Sequence, residues 1–131
     1  MDRTYLAFAA AFGFLGVAGG AFGAHAVRAT IPRERLATFE TAARYLLYGA
    51  FELFAVEWVR SAGPDTIAAS LAGVGFLLGT VAFSGSLALL VLTDERRWGA
   101  VAPIGGVLLL AGWALLLVAA FTAPLRFDFF R

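Results

Sequence analysis

From Thr66 to Leu92 the chain carries no charged side chain. Every backbone N–H and C=O in such a stretch must be satisfied where water is scarce, and a helix satisfies them within itself. At about 1.5 Å of rise per residue the stretch is long enough to cross a hydrocarbon core about 30 Å thick. Three further runs are largely apolar: about 6–27, 98–123, and a short one over about 45–60 that holds Glu52 and Glu57. Of the 131 residues, 61% are hydrophobic and only 15% are charged, against about 25% charged in an ordinary soluble domain. The sequence therefore predicts an all-α integral membrane protein: a single transmembrane domain over 1–131, folded as a four-helix bundle.

The first run, from Tyr5 to Ala24, is too long for the apolar core of a signal peptide, which is about 7–15 residues. Asp2 beside Arg3 also denies it a clearly positive leader. It reads as a span. Formal net charge is +1, so no basic field points to nucleic acid. Cysteine is absent, which excludes disulfides, thiolate metal sites and cysteine nucleophiles. A lone histidine with no acidic partner at i+4 is a poor metal ligand set. Neither a metal nor a cofactor is expected.

Small residues are in register. Ala9, Gly13, Gly16, Gly20 and Gly23 step +4, +3, +4, +3 and fall on one helix face. Ala72, Gly75, Gly79, Ala82 and Ser86 repeat the pattern in the third run, and Gly105, Gly112 and Ala119 recur at seven-residue intervals in the fourth. Small faces let membrane helices approach closely, and Gly106, beside Gly105, is expected to serve as a packing glycine with them. The first two seams are suited to meet one another. Pro103 lies in the first turns of the fourth run and is expected to bend or release local backbone.

The polar stretch ahead of the second run differs. Pro32 suits the first turn of a helix. Leu36, Phe39 and Ala43 then follow at helical spacing, and Glu40 and Arg44 stand at i,i+4. An amphipathic helix over about 32–44 is expected at the membrane interface, continuing without a break into the second span. The tail from Arg126 to Arg131 reads as interfacial too. With both termini on one side, four arginines lie on that side and six in the 1–2 and 3–4 loops, which leans towards cytoplasmic loops.

Motifs in order carry a resemblance. Gly20-Ala-Phe-Gly-Ala-His25, Phe83-Ser-Gly-Ser86, Pro103-Ile-Gly-Gly106 and Ala111-Gly-Trp113 together resemble the YgdD/YwdK-like family, small four-span proteins of bacterial inner membranes with a mitochondrial transmembrane relative in animals. The resemblance covers nearly the whole chain. It implies a four-helix membrane bundle in the inner membrane, and brings no established activity. Members tend to read Tyr-Gln-x-Tyr-His-Ala after the amphipathic helix. Here the stretch is Tyr45-Leu-Leu-Tyr48-Gly-Ala50, so chemistry needing a second histidine is in doubt.

Depth arithmetic collects the polar residues. His25 and Arg28 end the first helix, and Arg44, Tyr48 and Glu52 step down the second. Ser84 and Ser86 lie before the exit of the third span, with Pro103, Gly105 and Gly106 just inside the fourth. One polar cluster is expected beneath the 1–2 and 3–4 loops. Glu57, near the far end of the second span, can pair with Arg60 or reach water.

Glu52 is read first as a structural carboxylate paired with Arg28, Arg44 or a serine, and second as a proton or cation site. His25 is read first as an interfacial helix-end residue, and second as a titrating or ligand group. Ser84 and Ser86 read as packing or back-bonding hydroxyls, since no base is placed to activate them.

The leading expectation is a non-enzymatic membrane protein acting through helix packing with protein or membrane-lipid partners, as a homo-oligomer or an accessory or structural subunit of a larger complex. The second is an oligomeric proton or small-solute transporter or channel using Glu52 and His25.

Overall fold

The structure is a computed structural model. It describes residues 3–63 and 67–123, the side chain of Ala24 excepted. The tail from Arg126 to Arg131 and part of the Ser61–Asp65 turn lie outside the described residues.

Helix α1 (Thr4–Ala18) passes into a π-helical turn at Gly19–Gly23 and resumes as the short α2 (Ala24–Arg28). Helix α3 (Arg33–Ala62) is unbroken over 30 residues, so the amphipathic stretch is its N-terminal part. Helix α4 (Ile67–Thr93) is followed by a 3₁₀ turn (Arg96–Ala100) and helix α5 (Ala102–Thr122). Three segments are long and apolar enough to cross a membrane: Thr4–Arg28, Ile67–Thr93 and Arg96–Thr122. Helix α3 carries too many charges to qualify by composition. Yet it runs antiparallel along α1, with Phe39 beside Gly23, Ala43 and Leu47 beside Gly16, Ala50 beside Gly13, and Arg60 over the Tyr5 ring. Residues 39–60 therefore share the depth of residues 5–23.

The helices pack in chain order, α1 on α3, α3 on α4 and α4 on α5. Two short connections, residues 29–32 and 94–95, force the first and last of these pairings. One core draws on all four long helices: Ala9 and Phe12 of α1, Ala50, Leu53 and Val56 of α3, Ala72 and Phe76 of α4, and Leu109 of α5. At the end remote from the two short connections, Tyr5 donates its phenol hydrogen to the Ser70 carbonyl at 2.8 Å and ties α1 to α4. At the near end, Arg35 donates to the Val91 carbonyl at 3.3 Å and pairs with Asp94 at 3.5 Å. Asp94 ends α4 with φ 56°, in the left-handed region that asparagine and aspartate tolerate better than other residues with a side chain.

Several expectations need correction. The glycines of the first two seams, those of the first and third runs, do not face one another. The α1 seam lies on α3, where a Cβ on Gly16 would stand 3.0 Å from the Ala43 carbonyl oxygen. The α4 seam lies on α5, where a Cβ on Gly75 would stand 3.1 Å from the Leu108 carbonyl oxygen and one on Gly79 2.9 Å from the Leu109 nitrogen. Spacing defines a face, but loop length decides which neighbour it meets. Gly20 makes only a loose approach to Ala43, at 4.0 Å, because the π turn rotates it off the seam. Gly23 faces the Phe39 ring, and Gly112 the Phe76 ring.

Gly106 is not a packing glycine, since a Cβ there would meet nothing within 4 Å. Pro103 does not kink a span. It sits in the first turn of α5, where its missing N–H has no helical partner to lose, and the irregular 3₁₀ backbone precedes it. Glu40 and Arg44 are both exposed and form no ion pair among those described. Glu57 does pair with Arg60, at 3.5 Å.

Candidate functional site

Glu52 lies on the face of α3 turned towards α4 and α5, between Gly49 and Leu53 of the buried stripe. Its exposure is 7%. Trp113 of α5 donates its indole N–H to Glu52 Oε1 at 2.8 Å, and the Trp113 ring meets Phe76 of α4 edge-on with centroids 5.2 Å apart. Glu52 Oε2 is buried with no hydrogen-bond partner. One carboxylate oxygen is thus held by the protein, and the other is left with its acceptor capacity unused.

The close approach of α3 and α4 at this level comes from Gly49. A Cβ there would overlap the Thr80 side chain, so glycine is what lets the two backbones come together. Thr80 and Ser84, one turn apart on α4, are both buried with hydroxyl oxygens that lack partners. Ser86 instead donates to the Phe83 carbonyl at 2.9 Å, a local back-bond.

Two recesses flank the carboxylate. The larger, about 460 Å³, is lined by Tyr45 and Glu52 of α3, Phe83 of α4, and the α5 face that includes Gly106, Val107 and Trp113. The smaller, about 330 Å³, is lined by Tyr45, Tyr48, Phe51, Glu52 and Trp113. Glu52, Tyr45 and Trp113 are common to both. Tyr45 is held by rings on two sides, Phe83 at 4.4 Å and Tyr48 at 5.1 Å between centroids. Among the described residues each recess therefore has aromatic walls, one carboxylate and no basic group.

The sequence-derived cluster divides. Glu52 and Tyr48 line the recesses. His25, Arg28 and Arg44 are exposed, and Ser84 and Ser86 are buried, but none of these five lines either recess. Arg28 lines a separate hollow with Ile31, Arg33 and Leu36 near the α2–α3 connection. The carboxylate also lies deeper than a count from Tyr45 implies, because its partner Trp113 falls in the C-terminal half of α5.

Trp113 is the residue that sequence reasoning passed over. Its signal was position: Trp58 and Trp98 stand near helix ends, where indoles reach water, whereas Trp113 sits mid-helix and its N–H needs an acceptor. Among the described residues no three His, Asp or Glu side chains gather as metal ligands.

Comparison with known proteins gives the following. The family described as "Protein of unknown function (DUF423)" matches residues 19–106, a stretch that takes in the π turn, Glu52 and Gly106 and stops short of Trp113. The chain is 43% identical over 121 residues to the UPF0382 inner membrane protein YgdD of Escherichia coli strain K12, covering 91% of this chain and 90% of that protein. It is 34% identical over 119 residues to the UPF0382 membrane protein SH2409 of Staphylococcus haemolyticus, covering 91% of this chain and 96% of that protein. No solved structure matches the chain.

Proposed function

The chain belongs to the DUF423 family and is an integral protein of the bacterial inner membrane, and from that premise we propose that it is a non-enzymatic binding protein working within the plane of the bilayer. Its working surface is the recess between α3 and α5 beside Glu52. The observation that carries this reading is the half-satisfied carboxylate: Glu52 is 7% exposed and lines recesses of about 460 and 330 Å³, Trp113 holds one of its oxygens, and the other is buried without a partner. A polar group left open at membrane depth carries a cost that a bound partner removes. The occupants this admits are a lipid, a partner helix or a small amphipathic molecule, in keeping with an accessory or structural role.

A photoreactive benzoylphenylalanine at Val107, an exposed position on the recess wall, tests the reading in native membranes. Crosslinks to a lipid, a protein or an added amphiphile are expected at Val107 and not at Val74, an exposed position that lines neither recess. Equal labelling of bulk lipid from both positions, with no other product, sinks it.

A second reading, passage of protons or a small solute, is favoured by the same free oxygen. It rests on Glu52 alone, since His25 lines neither recess. Flux into proteoliposomes that ceases in Glu52→Gln supports it, and flux indifferent to that change removes it.

A further inference from the structure

We propose that the occupant of the Glu52 recess is an amphipathic organic cation, its positive centre against the Glu52 carboxylate and its apolar body along Val107, Leu109 and Leu110. This rests on the reading of the recess as the working surface and names the chemistry it selects.

Three observations converge. The first is charge. Among the described residues Glu52 is the one carboxylate lining either recess, and no arginine or histidine lines them. The described ion pairs lie elsewhere, Arg60 with Glu57, Arg35 with Asp94 and Arg97 with Glu95. A carboxylate at membrane depth that finds no cation among the described residues is matched by one brought in from outside. The second is the aromatic lining. Tyr45, Phe83 and Trp113 wall one recess, and Tyr48 and Phe51 extend the wall of the other. Aromatic faces around a carboxylate attract organic cations, Trp most strongly. The third is size and shape. A recess of about 460 Å³ lies within the roughly 300–1,000 Å³ range of small-molecule sites. Gly106 keeps it open, because nothing lies within 4 Å of the position its Cβ would take.

The three features act together. The apolar wall selects against strongly hydrated inorganic cations, the carboxylate against anions, and the aromatic faces favour a diffuse charge over a neutral hydrocarbon. Trp113 has two parts here. Its N–H fixes the carboxylate through Oε1 and leaves Oε2 without a partner in the protein, and its ring forms part of the wall.

Tetraphenylphosphonium and tetraphenylborate have nearly the same size and shape and opposite charge, which makes them the discriminating probes. Equilibrium binding of each is measured with the full chain in phosphatidylcholine nanodiscs, with empty nanodiscs subtracted for partition. Saturable binding of tetraphenylphosphonium is expected, with none of tetraphenylborate. Glu52→Gln is expected to weaken binding at least about tenfold, as loss of one member of a buried charge pair does.

Because Glu52→Gln alters a buried group, Gly106→Leu serves as the second variant. It fills the recess from a position with room for a side chain and leaves the carboxylate in place, so it folds and loses binding. The proposal is overturned if tetraphenylphosphonium shows no saturable binding, if both ions bind alike, or if neither variant changes binding. Crosslinking from Val107 to a lipid or protein, together with any of those results, leaves the recess as a working surface and discards the cation. Failure of both experiments discards the recess itself.

Discussion

Gly105 of α5 stands so close to Phe83 of α4 that a single added carbon would overlap the Phe83 backbone nitrogen. The two helices cross here at backbone distance, and the neighbouring Gly106 faces open space. Two adjacent glycines thus have opposite meanings. Gly105→Ala is expected to destabilise the protein by about 1–3 kcal/mol, the usual range for overpacking, whereas Gly106→Ala is neutral or slightly stabilising because alanine favours the helix. Thermal unfolding in detergent, followed by circular dichroism, separates them. Equal losses at both positions contradict the packing described.

Trp113→Phe removes the one hydrogen bond to the Glu52 side chain among the described residues. A loss of about 0.6 kcal/mol and at most about 1.7 kcal/mol is expected, the average and the maximum for hydrogen bonds between membrane helices. Removing both partners leaves no orphan. Glu52→Leu combined with Trp113→Phe is therefore expected to cost less than the sum of the single changes. A double-mutant cycle under denaturant reads this directly, and strict additivity argues that the bond contributes nothing.

Tyr5→Phe deletes the hydroxyl that bonds the Ser70 carbonyl and keeps the ring beneath Arg60. A modest loss, about 0.5–1.5 kcal/mol, is expected. Tyr5→Leu removes the ring as well and is expected to cost more. If the two variants are equally stable, the ring makes no contribution beyond its bulk.

Gly16→Ala places a methyl group 3.0 Å from the Ala43 carbonyl oxygen, where backbone cannot easily yield. Gly20→Ala meets only the Ala43 methyl at 4.0 Å. Crosslinking between cysteines introduced at Gly13 and Ala50, which face each other across the same seam, is expected to slow in the first variant and to be unchanged in the second.

The helices were legible because run length and lack of charge leave few other ways to satisfy backbone polar groups. The glycine faces were legible too, since Gly13, Gly16, Gly75, Gly79, Gly105 and Gly112 all confront a neighbouring helix or its side chains. Their partners were not, because periodicity carries no information on which neighbour a face meets. Glu52 stood out as a carboxylate in an apolar run. Its partner did not, because the arginines and serines suggested for it are governed by charge, while the actual contact is governed by depth. Glu52 of α3 and Trp113 of α5 meet only once α4 has set the offset between their helices. Gly49 and Gly73 were missed since they belong to no repeat, each fitting one bulky group, Thr80 and Tyr5 respectively.

The π turn at Gly19–Gly23 has a consequence for everything after it in the first span. A π turn holds one residue more than an α turn, so each later side chain points where its predecessor would in a regular helix, a rotation of about 100°. His25 and Arg28, both exposed, lie beyond that offset. Straightening the turn into regular α-helix with the sequence unchanged would swing the histidine by about 100°, whereas deleting one residue within Gly19–Gly23 would restore an unbroken α-helix and leave the histidine pointing where it does now, without moving Tyr5, Ala9 or Phe12. The turn is a stored insertion: it uncouples the end that carries the histidine from the end that seats in the core, so that either can change register while the other stays in place.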